Sequence, residues 1–266
     1  MYSVFVQDLG LKLRSLMISY KMYADDLKLY IEARNDDSRT ELQRAIDVIS
    51  IWCRDKRMEL SAPKCAILKT ISDGTIYTLN NQPIQEVHEY RDLGVTFDKH
   101  MKFYTHICET AKSAARMCNL ILRTLIKQDP KMYLKLYEAL VVPKWVYCAH
   151  VWAPFHQKDV SLLQRVQNRF IKRLAHRCNL HRHTIVLPSV AEYQRRNDIR
   201  VLKHLIRNND VDKFFVIQPN SLRSGGSIQP HEIAYNDVVN NAFVWRTARR
   251  VRECNDYNRL IQPLFQ

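Results

Sequence analysis

The sequence predicts an α+β fold, mixed over its first hundred residues and all-helical after that. Three observations carry this. Short apolar runs separated by turn residues surround one capped helix between residues 20 and 97. From about residue 105, apolar residues recur at three- and four-residue intervals over long stretches. The net charge of +14 belongs wholly to the second part: residues 1–105 hold 15 basic and 15 acidic residues, and 106–266 hold the remaining 26 and 12. The boundaries that follow are 1–104 for the mixed region, 105–217 for the helical region and 218–266 for a basic extension.

Each element has a local reason. Phe5, Leu9, Leu13 and Leu16 are spaced like one helix face, and residues 20–24 and 27–31 read as strands around the Ala24-Asp25-Asp26 corner. Ser38-Arg39-Thr40-Glu41 is a capping box. It opens a helix to about Met58 with Leu42, Ala45, Ile46, Ile49, Trp52 and Cys53 on one stripe. Strand-like pieces follow at Cys65–Ile71, Thr75–Leu79, Ile84–Val87 and Leu93–Phe97, with Asn80-Asn81-Gln82-Pro83 as turn chemistry. A long helix then carries Ile107, Ala111, Ala114, Cys118, Leu122 and Leu125 inward. Asp129-Pro130 caps a second through Ala149, and Asp159 caps a third with Leu163, Val166, Phe170 and Leu174 inward. Ser189-Val190-Ala191-Glu192 is a second capping box, starting a helix to about Asn208, and Pro219–Pro230 reads as loop.

No run approaches the ~18 apolar residues of a membrane span, and no secretory leader is visible. Seven scattered cysteines, an odd number, fit buried thiols in a reducing compartment better than a disulfide framework. The expectation is an intracellular protein, nuclear or cytoplasmic, that binds no membrane. A basic helical region suits a polyanionic partner, nucleic acid first, against the alternative of a merely solvated basic surface. Cys178-x-x-His181-x-His183 lacks a second Cys/His pair at finger spacing and reads as a basic linker.

The sharpest local feature is Tyr23-Ala24-Asp25-Asp26. Two carboxylates at a tight corner between rigid apolar strands offer hard oxygen ligands suited to Mg²⁺, although aspartate is also an ordinary turn residue. The neighbours of the pair add to it. Tyr23-Ala24-Asp25-Asp26 resembles the Y/F-A-D-D motif of reverse transcriptases of non-LTR (LINE-like, jockey-like) retrotransposons. Phe5-Val6-Gln7-Asp8-Leu9 is similar to the segment after their template-positioning motif. The helix with Leu42-Gln43 and Ile51-Trp52-Cys53 resembles the palm helix that follows the aspartates. Leu60-Ser61-Ala62-Pro63-Lys64-Cys65 resembles their L-N-x-x-K-(C/T) element, and Tyr90-Arg91-Asp92-Leu93-Gly94-Val95 their Y-L-G-(I/V) element. Leu136-Tyr137 through Pro143, then Tyr147-Cys148-Ala149-His150-Val151-Trp152, resembles a thumb segment, and Leu163 to Phe170 the helix after it. The resemblance covers about residues 1–175.

It implies the C-terminal part of a polymerase palm followed by a helical thumb. It also implies RNA-directed DNA polymerase chemistry with two Mg²⁺ ions, an RNA template and a DNA primer. By the same resemblance Asp25 is the essential metal ligand of the pair and Asp26 the auxiliary one. Lys64 is the proton donor to pyrophosphate, and Leu93 and Gly94 belong to the primer grip. Lys112, Arg116, Arg123, Lys127, Arg165, Arg169, Lys172 and Arg173 are candidates to track the backbone of a template–primer duplex. The family's upstream aspartate strand and its fingers would both precede residue 1, so the expectation is a catalytic set that is incomplete and inactive alone. A non-catalytic nucleic-acid-binding remnant and a degenerate element product stand beside the polymerase reading.

Overall fold

The structure is a computed structural model that describes residues 6–16, 18–32, 36–71, 73–125, 129–218, 227–230, 243, 244, 246 and 247. It contains two compact units, Met1–Tyr90 and Arg91–Gln266. Phe5 and Lys127 lie outside the described residues, as do Cys254 and every arginine beyond Arg246.

In the first unit, α1 (Gln7–Arg14) is followed by β1 (Ser19–Tyr23) and β2 (Asp26–Tyr30), an antiparallel pair, and then by α2 (Asp36–Asp55). Leu9 and Leu13 of α1 pack with Ala45, Ile49, Trp52 and Cys53 of α2, and Tyr20, Leu27 and Leu29 of the hairpin close over them. Asp8 and Lys56 join the two helices in an ion pair at 3.1 Å. Hydrogen bonds from Trp52 and Lys56 hold the Asp8 carboxyl below its usual range, which makes it a clamp between helices. The capping box does not open α2. The helix begins two residues earlier, at Asp36, so Ser38 lies in its first turn and Asp36 and Asp37 face the positive end of the dipole.

α2 stops at Asp55 in a Schellman arrangement, with Met58 N–H on Cys53 O (2.8 Å) and Arg57 N–H on Arg54 O (3.1 Å). Arg57 takes the left-handed position (φ 55°) where glycine is usual. After a 3₁₀ turn at Ala62–Lys64, β3 (Ala66–Leu68) pairs in parallel with β6 (Gln85–Val87), and β4 (Thr78–Leu79) pairs antiparallel with β5 (Gln82–Pro83). These strands are shorter than the apolar runs suggest. Lys69 ties the loop beyond β3 to both sides, pairing with Asp73 (2.7 Å) and Glu86 (3.2 Å).

β7 (Glu89–Asp92) and β8 (Val95–Asp98) form a two-stranded sheet joined by Leu93-Gly94, a connection short enough to force an antiparallel hairpin. The second unit then continues with α3 (Tyr104–Thr124), α4 (Pro130–Leu140), α5 (Val142–Val146), α6 (Ala149–Trp152), α7 (Gln157–Arg177) and α8 (Val190–Arg207). The periodicity from 130 to 149 predicts one helix, and the chain makes three. Pro143 has no N–H to continue the ladder and sits in the first turn of α5, and Cys148 turns left-handed (φ 50°) before α6. Asp129 caps α4 through the Lys131 N–H (3.0 Å), and Ser189 caps α8 through the Glu192 N–H (3.1 Å). Asp159 is not a cap: α7 starts at Gln157, and Asp159 is buried in its first turn. Phe215–Gln218 pairs with Ser227–Pro230, so that end of the expected loop is strand.

The core of this unit is one cluster around Ile107, Ala114, Cys118, Tyr133, Tyr137, Trp145, Leu163, Phe170 and Leu174. Inside it runs a polar chain. Trp145 Nε1 donates to Tyr137 Oη (3.1 Å), Tyr137 Oη donates to Gln167 Oε1 (3.2 Å), and Gln167 Nε2 donates to Pro188 O (2.8 Å). Burial pushes the Tyr137 phenol well above its ordinary range, so it stays a neutral donor. Tyr137→Phe would strip a partner from both Trp145 and Gln167. We expect a loss of about 1–3 kcal/mol, read as a lower urea midpoint with unchanged slope.

At the start of α8, Glu192 accepts from Arg195 (2.7 and 2.8 Å) and Arg196 (3.0 Å). The arginine bonds pull its carboxyl from an ordinary 4.5 to about 2. A depressed carboxylate contributes stability above its unfolded pKa and loses it on protonation. Stability should therefore fall as pH drops from about 4.5 through about 2. Glu192→Gln should flatten that part of a stability–pH curve measured by urea unfolding.

Candidate functional site

The acidic corner is a two-residue turn. Tyr23 pairs directly with Asp26, which leaves Ala24 and Asp25 as the loop. Asp25 therefore sits at the tip and Asp26 is the first residue of β2, one step earlier than the alternation of apolar residues suggests. With no glycine or asparagine available, Ala24 takes the left-handed conformation itself (φ 50°). Both carboxylates are exposed, and among the described residues neither enters an ion pair. What fixes them is the base of the hairpin. Tyr20 Oη donates to the Gly10 carbonyl at 2.9 Å, and a Cβ at Gly10 would come within 3.1 Å of that hydroxyl. Gly10 thus lets α1 lie close against β1.

The two aspartates supply two hard-oxygen donors at the hairpin corner, part of what a six-oxygen Mg²⁺ shell asks for. Among the described residues no group of three or more His, Cys, Asp or Glu side chains is placed to hold a metal ion. The residues present therefore fit only part of a two-metal site. Lys64 ends the 3₁₀ turn Ala62–Lys64, is exposed, and makes no ion pair with either aspartate among the described residues.

The Leu93-Gly94 turn has both residues left-handed (φ 44° and 87°), the geometry of a primed hairpin turn. It is braced from 54 residues away. Tyr147 Oη donates to Leu93 O at 2.8 Å, its ring comes within 3.4 Å of where a Gly94 Cβ would be, and Trp152 Nε1 donates to the Tyr147 carbonyl at 2.7 Å. At the root of the hairpin, the Thr96 N–H donates to His106 Nδ1 (3.3 Å). That bond needs an unprotonated Nδ1, and burial correspondingly pulls the His106 pKa down.

Lys112, Arg116 and Arg123 are exposed along α3 at the spacing of one stripe, with Asn119 between them. Arg165, Arg169 and Lys172 make the matching stripe on α7. Arg173 reaches across to Asn119 Oδ1, and Arg177 donates to the Leu122 and Leu125 carbonyls (both 2.7 Å). The near-constant sequence offset of these contacts shows that α3 and α7 run parallel, so the two stripes adjoin. From Thr110 to Thr124 and from Val160 to Arg177 there is no acidic residue. Arg173 is thereby part of the helix–helix contact as well as of the basic surface. Tyr20 and Tyr147 escape a sequence reading because nothing in their spacing pairs a tyrosine with a carbonyl 10 or 54 positions away.

Over 189 residues, 66% of its length, the chain is 23% identical to the RNA-directed DNA polymerase from mobile element jockey of Drosophila funebris. The chain is thus similar, at low identity, to jockey RNA-directed DNA polymerases. The corresponding protein of Drosophila melanogaster is likewise 23% identical, over 190 residues and 66% of the chain. This chain aligns with about a fifth (20%) of the length of each relative. No protein-family model matches, and no solved structure matches. No helix among the described residues is long and apolar enough to cross a membrane.

Ala24 gives the acidic corner a backbone strain. A left-handed alanine costs about 1–2 kcal/mol, and glycine returns about 0.4–1 kcal/mol of that through the unfolded chain. Ala24→Gly should raise stability by roughly 0.5–1 kcal/mol, measured by urea unfolding.

Proposed function

We propose that this chain is a portion of a jockey-like retrotransposon reverse transcriptase. In it, residues 1–104 are the C-terminal part of the palm, 105–217 a thumb-like helical region and 218–266 a basic extension. The observation that carries the reading is the exposed Asp25-Asp26 pair at the corner of the β1–β2 hairpin, in a chain similar to jockey RNA-directed DNA polymerases. In a complete polymerase Asp25 and Asp26 would hold Mg²⁺, which supplies charge stabilisation for nucleotidyl transfer. Lys64 would neutralise the leaving pyrophosphate, and the Leu93-Gly94 turn would hold the primer end. Lys112, Arg116 and Arg123 on α3, with Arg165, Arg169, Lys172 and Arg173 on α7 and Lys127 beyond α3, would follow the phosphates of an RNA–DNA duplex. The adjoining stripes are free of acidic side chains, which suits a polyanion.

Two-metal chemistry needs a carboxylate from a second strand besides the corner pair, and no third ligand gathers with the pair among the described residues. The 266-residue chain by itself therefore binds template–primer without extending it. Two measurements test this. Fluorescence anisotropy with an RNA–DNA hybrid should show affinity that falls steeply with salt; absent or salt-insensitive binding contradicts the nucleic-acid reading. Primer extension on a primed RNA template with Mg²⁺ or Mn²⁺ should give no product. Template-dependent synthesis, abolished by Asp25→Asn, would show that the chain completes its own site.

A further inference from the structure

The helical region carries a third basic stripe. On α8, Arg196, Arg200, Lys203 and Arg207 follow the same i, i+4, i+7, i+11 spacing as Arg165, Arg169, Lys172 and His176 on α7. At about 100° per residue the four lie within a strip roughly 60° wide and about 16 Å long. The opposite side of α8 holds Gln194, Asp198, Leu202 and Leu205, all buried. That side packs against α5 and α6, so the stripe is an outward face.

The charges on it are not spent within the fold. Arg196 is paired with Glu192 at 3.0 Å, but Arg200, Lys203 and Arg207 are exposed and enter no ion pair among the described residues. The only acid from Tyr193 to Arg207 is Asp198. It is buried and gripped by Arg246 through two bonds of 2.8 and 3.0 Å, so it cannot turn outward to neutralise the stripe. Like-charged side chains one turn apart cost a few tenths of a kcal/mol each on an isolated helix. The fold keeps three in a row and holds Asp198, the acid among them in sequence, buried on the other side of the helix.

We infer that the outer face of α8 is a second phosphodiester-binding surface, with Arg200, Lys203 and Arg207 contacting the backbone of a nucleic-acid segment other than the one on α3 and α7. This rests on the nucleic-acid reading of the helical region. The partner is set by charge complementarity. Three cations spread over two to three helical turns match a line of phosphates better than a single anionic group. The side chains read no base sequence, so the surface does not discriminate by sequence.

The test uses the full chain and fluorescein-labelled 24-mers, one an RNA–DNA hybrid and one single-stranded RNA, titrated across a KCl series. Arg200→Gln/Lys203→Gln/Arg207→Gln is compared with Arg165→Gln/Arg169→Gln/Lys172→Gln. The α8 triple should make the slope of log affinity against log salt shallower by about 2 to 3 for at least one of the two ligands. Which ligand responds shows whether the second segment is duplex or single strand. Arg200→Lys/Arg207→Lys should retain the slope, because charge rather than guanidinium geometry is what the backbone reads. If the α8 triple leaves both titrations unchanged while the α7 triple weakens them, the second surface is refuted and the α3–α7 reading stands. If neither triple changes anything, both fall. An unchanged thermal midpoint separates lost contacts from lost folding.

Discussion

The helical unit hangs on the buried phenol of Tyr137. It accepts a hydrogen bond from the Trp145 indole on α5 and donates one to Gln167 on α7, and Gln167 donates another to the Pro188 carbonyl just before α8. Four elements that share few sequence neighbours are thereby held at fixed distances in a core otherwise made of Ile, Leu, Trp and Phe. A polar chain in that setting is worth having only when every member is paired, since a half-satisfied one costs more than an apolar substitute. Here its ends land on an indole that needs an acceptor and a carbonyl that needs a donor. The break at Pro143 is a consequence as much as a cause. Ending α4 and restarting as α5 is what brings Trp145 back over Tyr137.

Tyrosine hydroxyls serve a second purpose at the two hairpin corners. Tyr20 on Gly10, Tyr147 on Leu93 and Tyr133 on Leu125 each donate to a backbone carbonyl at 2.8–2.9 Å, and each ties a helix to a turn, strand or helix end. A ring fills space that a short polar side chain could not, and its hydroxyl tip still donates to a backbone carbonyl. The acidic hairpin and the Leu93-Gly94 turn are both short sheets with open edges. Their placement comes from these bonds and from the glycines that admit the rings, Gly10 and Gly94, more than from strand pairing.

Much of this was legible in the letters. Capping by Asp129 and Ser189, the inward stripes of α3 and α7, and the strand–corner–strand around Asp25 all follow from rules that act within a few residues. What escaped acts over longer range or against preference. Ser38 has the right partner for a cap, but Asp36 offers the helix an earlier start. Asp159 looks like a cap, yet α7 reaches back two residues and buries it. Gln167 is buried because Tyr137, 30 residues away, and the Pro188 carbonyl satisfy its amide, partners that nothing near it in sequence announces. Arg57 in a left-handed helix end breaks the glycine preference, with the fold absorbing the strain. At the candidate site the aspartates and the basic stripes were visible because chemistry fixes their residue types. The tyrosine braces were not, since a bond to a backbone carbonyl leaves no mark on the residue that accepts it.

The Asp25-Asp26 corner has one more implication. Both carboxylates are exposed and neither enters an ion pair among the described residues, while the hairpin beneath them is held by Tyr20, Gly10, Leu27 and Leu29. The contacts that hold the hairpin among the described residues run through other side chains than these two. A gene drifting free of selection could exchange both for serine or asparagine, and the protein would fold in the same register. The scaffold and the chemistry at this corner are separately heritable, so an intact fold certifies nothing about the aspartates, and the aspartates cannot be explained as something the fold required.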